Sequence, residues 1–232
     1  MKKYPTITID GPAASGKGTV AKAISKRLDI PYVNSGGVFR ALAYIIHLSK
    51  KEHQDFLPED VNSLIKQYAL TFEKGTNGSK MKITMEGRDI TQNLYDSEVT
   101  ELTPKLGSHL SFIEVGSHII QKLGQDGGVI DSRVAGTVLF PDADVKIFLT
   151  ASLEARSQRR FQDLMERGEK VTLSEVTKDV QNRDEFDETR QNDPLKIAKD
   201  AVIVDSTGQT EDETIEKVMK IIFSRHPEFS VS

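Results

Sequence analysis

The stretch Gly11-Pro12-Ala13-Ala14-Ser15-Gly16-Lys17-Gly18-Thr19 decides the fold. The preceding segment, Thr6-Ile7-Thr8-Ile9-Asp10, is rich in β-branched residues and predicts a strand. The following segment, Val20-Ala21-Lys22-Ala23-Ile24, predicts the first turns of a helix. A strand, a glycine-rich turn with a lysine and a helix, in this order, are the context of a phosphate-binding P-loop.

Each part of this stretch has a chemical reason. The glycines let main-chain N–H groups approach a phosphate chain without Cβ clashes, and the helix N-terminus adds partial positive charge. Lys17 is placed to reach the β- and γ-phosphates of a nucleotide. Gly18 stands where the strict pattern has Ser or Thr, and the hydroxyl that serves a Mg²⁺ shell comes next, at Thr19. This Gly-Lys-Gly-Thr order is typical of nucleoside monophosphate kinases; the alternative is a glycine turn that binds nothing.

The composition excludes several classes of protein. With 232 residues, the chain suits one α/β core with a smaller insertion. The net charge of −4 argues against a broad nucleic-acid surface, and the lack of cysteine excludes disulfides, thiolate metal sites and a cysteine nucleophile. No apolar run approaches the ~20 residues that span a bilayer, and the N-terminus leads straight into a strand, without a signal peptide. We expect a cytoplasmic monomer, since no heptad or large apolar stripe predicts association.

The order of elements predicts a doubly wound α/β fold. A short strand at Ile30 to Val33 and a helix at Val38 to Ile46 follow the P-loop helix, which begins a parallel sheet. Further buried strands are predicted at Gly127 to Asp131, Asp144 to Leu149 and Ala201 to Asp205. The last is followed by a helix at Ile215 to Phe223, and residues 226–232 are expected to form a loose tail.

A different pattern interrupts this order. Alternating segments at Leu70 to Glu73 and Met81 to Met85 flank Asn77-Gly78, a strong tight-turn signal, and predict a β-hairpin. A hairpin does not belong in a parallel βα repeat, so about Lys50 to Leu102 is predicted to be an inserted, partly β subdomain. Gly87-Arg88-Asp89, at its exit, is predicted to be a turn after a strand.

Polar side chains at predicted strand ends are candidate ligand contacts. Ser35 and Arg40 face the crevice where α/β proteins bind ligands, unless Ser35 is a helix cap and Arg40 a solvated charge. Asp131 and Arg133 end a central strand beside the P-loop. Asp131 is a candidate to hold the arginine or a magnesium-bound water, and Arg133 to stabilise a phosphoryl group in transfer. The alternative is a turn-capping Asp with a surface Arg.

Two helices after the fourth strand are rich in charge. The first begins at the cap Ser152, and the second begins at a capping box from Thr172 to Glu175. They are interpreted either as solvated, salt-bridged helices or as a mobile lid whose arginines close over a triphosphate. The residues of interest are Arg156, Arg159, Arg160, Arg183, Asp184, Asp187 and Arg190. His109 and His118 fit no common metal spacing, and His109 is kept as a weak pocket candidate.

Over nearly its whole length the chain resembles the bacterial cytidylate kinases. The P-loop alone indicates only a nucleotide kinase, and the more specific blocks lie further along the chain. The residues that carry the resemblance are Ile9 to Thr19, Ser35 to Ala43, Gly136 to Ala143, Val145 to Leu149, Arg156, Arg159, Arg160, Arg183, Asp184, Asp187, Arg190, Pro194, Leu195 and Val204 to Thr207.

The resemblance implies a P-loop NTPase fold with a parallel five-stranded sheet flanked by helices, an inserted acceptor-nucleotide subdomain and a helical lid. The corresponding segments are 1–34, 103–150 and 195–226 for the core, 35–102 for the acceptor subdomain and 151–194 for the lid. The implied reaction is transfer of the ATP γ-phosphate to CMP or dCMP with Mg²⁺. Neither a nucleic acid nor a membrane is expected as a partner.

The resemblance also implies residue roles. Residues 11–19 would bind ATP together with the lid residues Arg156 and Arg160, and Thr19 would serve the metal. The acceptor would contact Ser35, Arg40, Arg133, Arg183, Asp187 and Arg190. Our mechanistic hypothesis gives catalytic roles to Lys17, Asp131, Arg133, Arg183 and Arg190.

The chain departs from the family pattern where the acceptor base is read. The family has Asp-Gly-Arg-Asp where this chain has Asp131-Ser132-Arg133-Val134, and the second Asp helps to read the cytosine amino group. The family also has an arginine near Ser111 to Ile113, where this chain has none, and Phe186 replaces a lid arginine. Three interpretations remain open: a CMP and dCMP kinase, in which His109, Glu114 or Glu101 substitutes for the missing groups; a kinase with shifted base preference, such as for UMP; and a nucleotide-binding regulatory protein without turnover.

Overall fold

The computed structural model describes residues 2–50 and 56–230 and confirms the predicted P-loop NTPase fold. Its strands are β1 (Thr6–Asp10), β2 (Tyr32–Asn34), β3 (Thr71–Glu73), β4 (Lys82–Met85), β5 (Arg88–Asp89), β6 (Gly128–Asp131), β7 (Val145–Thr150) and β8 (Val202–Asp205). Within the described residues, five of them form one parallel sheet in the order β2-β6-β1-β7-β8.

Helices cover both faces of the parallel sheet. They are α1 (Lys17–Leu28), α2 (Ser35–Ser49), α3 (Pro58–Gln67), α4 (Ser97–Leu106), α5 (Leu110–Gly124), α6 (Leu153–Glu166), α7 (Leu173–Thr189) and α8 (Glu211–Arg225). The apolar sides of α1 and α8 pack with Ile7 and Ile9 of β1 in one buried cluster. Those of α2 and α5 pack with Ile130 of β6 in a second cluster, on the opposite face. On β6, Val129 belongs to the first cluster and Ile130 to the second, so burial on both faces explains these consecutive apolar residues.

The predicted hairpin is present. β3, β4 and β5 form an antiparallel sheet in that order, and Asn77 and Gly78 at the turn both have positive φ. Gly75, in the hairpin connection, exchanges main-chain hydrogen bonds with Tyr32 of β2, at 2.8 and 2.9 Å. The inserted segment is therefore joined to the edge of the parallel sheet beside α1.

Two local predictions were wrong. Gly87-Arg88-Asp89 is not simply a turn, because Arg88 and Asp89 pair with Met85 and Thr84 of β4, and the positive-φ turn residues are Glu86 and Gly87. A two-residue strand is too short to show an alternating pattern. The predicted loose tail contains a 3₁₀ turn at Pro227–Ser230, and residues 231–232 lie outside the described residues.

Other boundaries differ modestly. The helix predicted at Val38 begins at Ser35, and α3 begins at Pro58. The segment predicted as an inserted subdomain, about Lys50 to Leu102, lies partly outside the described residues, at 51–55. In the described part of the chain, no helix combines the length and apolar character needed to span a bilayer.

Candidate active site

The P-loop is a compact turn around the amine of Lys17. Gly11 allows close packing, because a Cβ at this position would lie 2.0 Å from the carbonyl oxygen of Leu149. Gly16, with φ 87°, caps α1 at its N-terminus. The Lys17 side chain is buried, and its Nζ donates hydrogen bonds to Pro12 O at 2.7 Å and Ser15 Oγ at 3.3 Å. The Lys17 amine, which is predicted to bind phosphate, is therefore hydrogen-bonded to the loop itself.

Lys17 lies in an unusual electrostatic environment. Burial is the largest influence, and together with the positive charge of Arg133 it lowers the Lys17 pKa to about 7, although Asp131 and Asp10 act to raise it. A buried cation with incomplete compensation is stabilised by an added anion. The loop is thus suited to bind a phosphate group.

Asp131 lies directly against the P-loop, as predicted. Its Oδ2 accepts a hydrogen bond from the hydroxyl of Tyr32 at 3.2 Å. A Cβ at Gly18 would lie 3.3 Å from the same oxygen, so the glycine at this position leaves room for the carboxylate. Burial raises the pKa of Asp131, against the opposing charges of Lys17 and Arg133. Asp131 is therefore neither exposed nor a simple turn cap.

Sequence reasoning missed the role of Asp10. Its two carboxylate oxygens accept hydrogen bonds from the main-chain N–H groups of Ala135 and Gly136, at 2.8 and 2.7 Å. These groups begin a single π-helical turn, Ala135–Leu139, which follows Arg133. Burial raises the Asp10 pKa to about 6. The only sequence signal was an acid that ends the first strand. Asp10 fixes the backbone that presents Arg133.

Among the described residues, three arginines surround the carboxylate of Asp187, which has no solvent exposure. Arg133 Nε and Arg183 Nε lie 3.0 and 3.1 Å from Asp187 Oδ2, and Arg190 Nη1 lies 4.0 Å from Oδ1. Burial acts to raise the Asp187 pKa, but the arginines outweigh it and the net pKa is lowered. Oδ1 has no hydrogen-bond partner within the described part of the chain. One carboxylate cannot neutralise three guanidinium groups, so this cluster is suited to bind an anion.

Ser35 and Arg40 begin α2 on the acceptor side. Ser35 is buried and is not the helix cap, because the side chain of Asn34 accepts the capping hydrogen bond from Gly37 N at 2.8 Å. Arg40 is not a solvated charge, since Nη1 donates to Leu94 O at 3.3 Å and Thr100 Oγ1 at 3.0 Å. The alternative predictions, that Ser35 is a helix cap and Arg40 a solvated charge, are therefore wrong.

Arg40 also lies near arginines of α6 and α7. Burial lowers its pKa, Tyr95 opposes that change, and the charges of Arg183, Arg160 and Arg133 lower the pKa further. The arginines predicted to bind the acceptor and Arg160 thus share one electrostatic environment.

The charged helices α6 and α7 contact the P-loop. Arg156 donates to Ala13 O at 3.1 Å and Ala151 O at 3.0 Å, and it forms an ion pair with Asp184. Asp184 Oδ1 in turn accepts a hydrogen bond from Ala13 N at 3.0 Å. Arg159 donates to Ser206 at the end of β8 instead. The interpretation as merely solvated helices is wrong for this pair, because Arg156 is buried.

The positions where the chain departs from the family pattern are mainly apolar. Val134 is 7% exposed and Phe112, within Ser111 to Ile113, is 3% exposed, and both belong to the core cluster of the acceptor side. Phe186 lies under Arg183, whose guanidinium carbon is 5.7 Å from the ring centroid. His109 precedes α5 without a capping bond from its side chain. Within the described residues, no cluster of three His, Cys, Asp or Glu side chains is suited to hold a metal.

This geometry defines a P-loop phosphotransferase: a glycine-rich loop with a buried lysine, facing arginines from a parallel sheet and from two charged helices. The cytidylate kinase family model matches residues 7–224. The chain is 35% identical to the cytidylate kinase of Enterococcus faecalis over 218 residues, 94% of this chain and 95% of that protein. It is 37% identical to that of Aquifex aeolicus over 221 residues, 94% of this chain and 96% of that protein.

The chain belongs to the cytidylate kinase family. It is an enzyme, a kinase that phosphorylates a nucleoside monophosphate. Among solved structures, TT1252 from Thermus thermophilus matches 96% of this chain and 98% of its own length at 18% identity. Its TM-score of 0.44 is too low to support the fold independently.

Proposed function

We propose that this kinase transfers the γ-phosphoryl group of ATP to CMP or dCMP and forms CDP or dCDP and ADP. The observation that carries the proposal is the convergence of Arg133, Arg183 and Arg190 on Asp187, with Arg133 close enough to lower the Lys17 pKa. A donor site at the P-loop and an anion site at these arginines are the two halves that such a transfer requires.

In the donor half, the loop of residues 11–19 surrounds the β- and γ-phosphates and offers them main-chain N–H groups, although Pro12 has none and that of Ala13 donates to Asp184. Lys17 leaves Pro12 O and Ser15 Oγ and donates to the phosphate oxygens instead. Arg156, already bonded to the loop at Ala13, and Arg160 on the same helix reach the donor from the lid. A lid that closes over the phosphates also excludes water, which protects ATP from hydrolysis.

In the acceptor half, Arg40 binds the monophosphate and Ser35 contacts the same nucleotide. Arg133, Arg183 and Arg190 neutralise the acceptor phosphate and the phosphoryl group in transfer. An oxygen of the acceptor phosphate forms the new bond to the γ-phosphorus as the bond to the ADP oxygen breaks, and ADP leaves. Asp187 holds the arginines in place and contacts the acceptor's sugar. The chemistry needs alignment and charge neutralisation rather than a covalent intermediate.

The residues present fit Mg²⁺ bound with ATP. Mg²⁺ prefers oxygen ligands, keeps several waters and is held by one or two carboxylates together with substrate phosphates. Asp131 provides a carboxylate against Gly18, and Thr19 provides the neighbouring hydroxyl. Thr19 would hold the ion with the phosphates, and Asp131 would hold its waters. When bound, the ion would supply charge neutralisation for the phosphates of ATP.

A second candidate is a kinase of the same family with another base preference, such as for UMP. The buried apolar Val134 and Phe112 favour it, because neither side chain accepts a hydrogen bond from a cytosine amino group. A monomeric state remains a prediction. A cytoplasmic location remains a prediction.

A coupled assay of ADP formation tests the proposal with ATP, Mg²⁺ and, in turn, CMP, dCMP, UMP, AMP and GMP. We expect turnover with CMP and dCMP, and none in the Lys17→Met variant. Preference for UMP would support the second candidate. Binding of ATP by calorimetry, with no ADP formed for any acceptor, would instead indicate a regulatory protein.

A further inference from the structure

Tyr95 has two arginines from different parts of the chain beside its ring. The guanidinium carbon of Arg40, on α2, lies 5.1 Å from the ring centroid, and that of Arg167 lies 5.7 Å from it. Both distances fall within the range of a cation–π attraction. Arg167 ends α6, whereas Tyr95 ends a 3₁₀ turn that leads to α4. One aromatic ring therefore links the segment predicted as the acceptor subdomain to the segment predicted as the lid.

The same ring belongs to the small set of groups that orient Arg40. The guanidinium donates to Leu94 O and Thr100 Oγ1, which flank Tyr95 in sequence, and the ring lies beside it. Thr100 Oγ1 also donates a long hydrogen bond to Tyr95 O, at 3.5 Å. A displacement of Tyr95 would therefore change the position of Arg40. Because the Tyr95 residue is 46% exposed, nothing in the core holds the ring rigidly in place.

We propose that Tyr95 is a positioning residue that couples closure of the lid to the placement of Arg40. This proposal rests on the proposed role of Arg40 at the acceptor phosphate. When the end of α6 approaches, Arg167 stacks on Tyr95 and restrains the ring. The restrained ring holds Arg40 in the orientation that binds the monophosphate. An open lid releases Arg167 and leaves Arg40 with fewer restraints. The phosphate site is thus completed only when the lid covers it.

The test compares variants of the full-length enzyme in steady-state assays with CMP, or with UMP if CMP is not phosphorylated. Tyr95→Leu removes the ring and Tyr95→Phe keeps it. Arg167→Gln removes the lid partner. Lys170→Gln is the matched control, since Lys170 is exposed on the same turn and makes no ring contact among the described residues. A Tyr95→Leu/Arg167→Gln double variant completes the cycle.

We expect Tyr95→Leu to raise the KM for the monophosphate about three- to tenfold, because each exposed cation–π contact contributes roughly a two- to fivefold effect. The KM for ATP and kcat should change less than about twofold, and Tyr95→Phe and Lys170→Gln should behave as wild type. Arg167→Gln should raise the same KM, with no further effect in the Tyr95→Leu background. An unchanged KM in Tyr95→Leu, a defect in Tyr95→Phe equal to that in Tyr95→Leu, or multiplicative effects in the double variant would overturn the proposal.

Hydrogen exchange in the enzyme with ATP and Mg²⁺ but no monophosphate, where the lid is proposed to close, separates this inference from the proposed function. Tyr95→Leu should accelerate exchange in segment 166–171, and Arg167→Gln should accelerate exchange in segment 92–97. If wild type phosphorylates no monophosphate, the proposed function is wrong, and the exchange data still decide whether Tyr95 couples the two segments. If each variant affects only its own segment, the coupling is absent.

Discussion

The carboxylate of Asp184 accepts a hydrogen bond from the main-chain N–H of Ala13, 171 positions earlier in the chain, at 3.0 Å. The same carboxylate pairs with Arg156, which donates to the carbonyl oxygen of Ala13. Arg156 of α6 and Asp184 of α7 thus bond the main-chain carbonyl and the N–H of Ala13 in the P-loop. Because the Arg156 and Asp184 side chains are only 9% and 13% exposed, the placement of α6 and α7 and the shape of the loop depend on each other.

Replacement of Asp184 should show how much its contacts with Arg156 and Ala13 contribute to the stability of the protein. In Asp184→Ala the buried Arg156 loses its counter-charge and Ala13 N–H loses its acceptor, so we expect the free energy of unfolding to fall by about 3 kcal/mol. Asp184→Asn keeps an acceptor for Ala13 and should lose less. Urea-induced unfolding measures both. Glu185→Ala, an exposed neighbour on α7, is the control. Equal stability of Asp184→Ala and Glu185→Ala would show that the Asp184 contacts contribute little.

Lys17→Met should abolish most turnover without unfolding the protein. The variant removes the cation that faces the transferred phosphoryl group, and the loss of one such group lowers kcat by roughly 10²–10³-fold or more. Lys17 pairs with Pro12 O and Ser15 Oγ, and its burial already disfavours the charged form, so the apolar replacement should cost little stability. Initial rates and thermal unfolding measure the two effects. Lys26→Met, exposed on the same helix, should remain active, and near-normal turnover of Lys17→Met would remove Lys17 from the mechanism.

The P-loop and the parallel sheet could be predicted because their signals are local. The glycine spacing, the apolar strands and the capping boxes at Thr172 and Thr210 depend on residues close in sequence, and the structure contains both boxes. The hairpin was equally predictable from Asn77-Gly78. By contrast, the two-residue strand at Arg88–Asp89 depends on pairing with β4 and has no pattern of its own.

The site could be predicted less completely, because its geometry depends on packing between distant segments. Asp187 was noted among the charged residues of α7, its acceptor role came only from the resemblance, and nothing local to α7 indicates that Arg133 would reach it. In the sequence, Asp10 is only an acid at the end of a strand. Its hydrogen-bond donors, the N–H groups of Ala135 and Gly136, lie about 125 positions away and become evident only in the structure. Tyr95 lay in a polar stretch without a motif. Its significance depends on Arg40 and Arg167, which are 55 positions before it and 72 after it.

ATP binding should take up a proton at about pH 8. Burial lowers the Lys17 pKa from 10.5 to about 7, so most of the amine is neutral at that pH before the nucleotide binds. Phosphate groups, ionised above a pKa of about 6, favour the charged amine and raise its pKa, so close to one proton should enter with the nucleotide. Calorimetry in buffers of different ionisation enthalpy measures this uptake. The uptake should vanish in Lys17→Met. Proton release, or equal uptake in both proteins, would contradict the assigned environment of Lys17.

The base preference should respond to position 134. Val134 follows Arg133 and is almost completely buried, and its apolar side chain has no acceptor for an exocyclic amine. We expect wild type to discriminate between CMP and UMP by less than about tenfold, since a pocket without a hydrogen-bonding partner selects poorly. Val134→Asp supplies a carboxylate that attracts the cytosine amino group and repels the uracil carbonyl. The ratio of kcat/KM for CMP over UMP should rise by roughly 10- to 100-fold, because one well-placed polar contact to a base edge discriminates by about 1–3 kcal/mol. Val134→Leu, which changes size alone, should leave the ratio unchanged. If Val134→Asp remains folded and its ratio equals that of wild type, position 134 does not contact the base, and selection must then depend on other residues of the acceptor side.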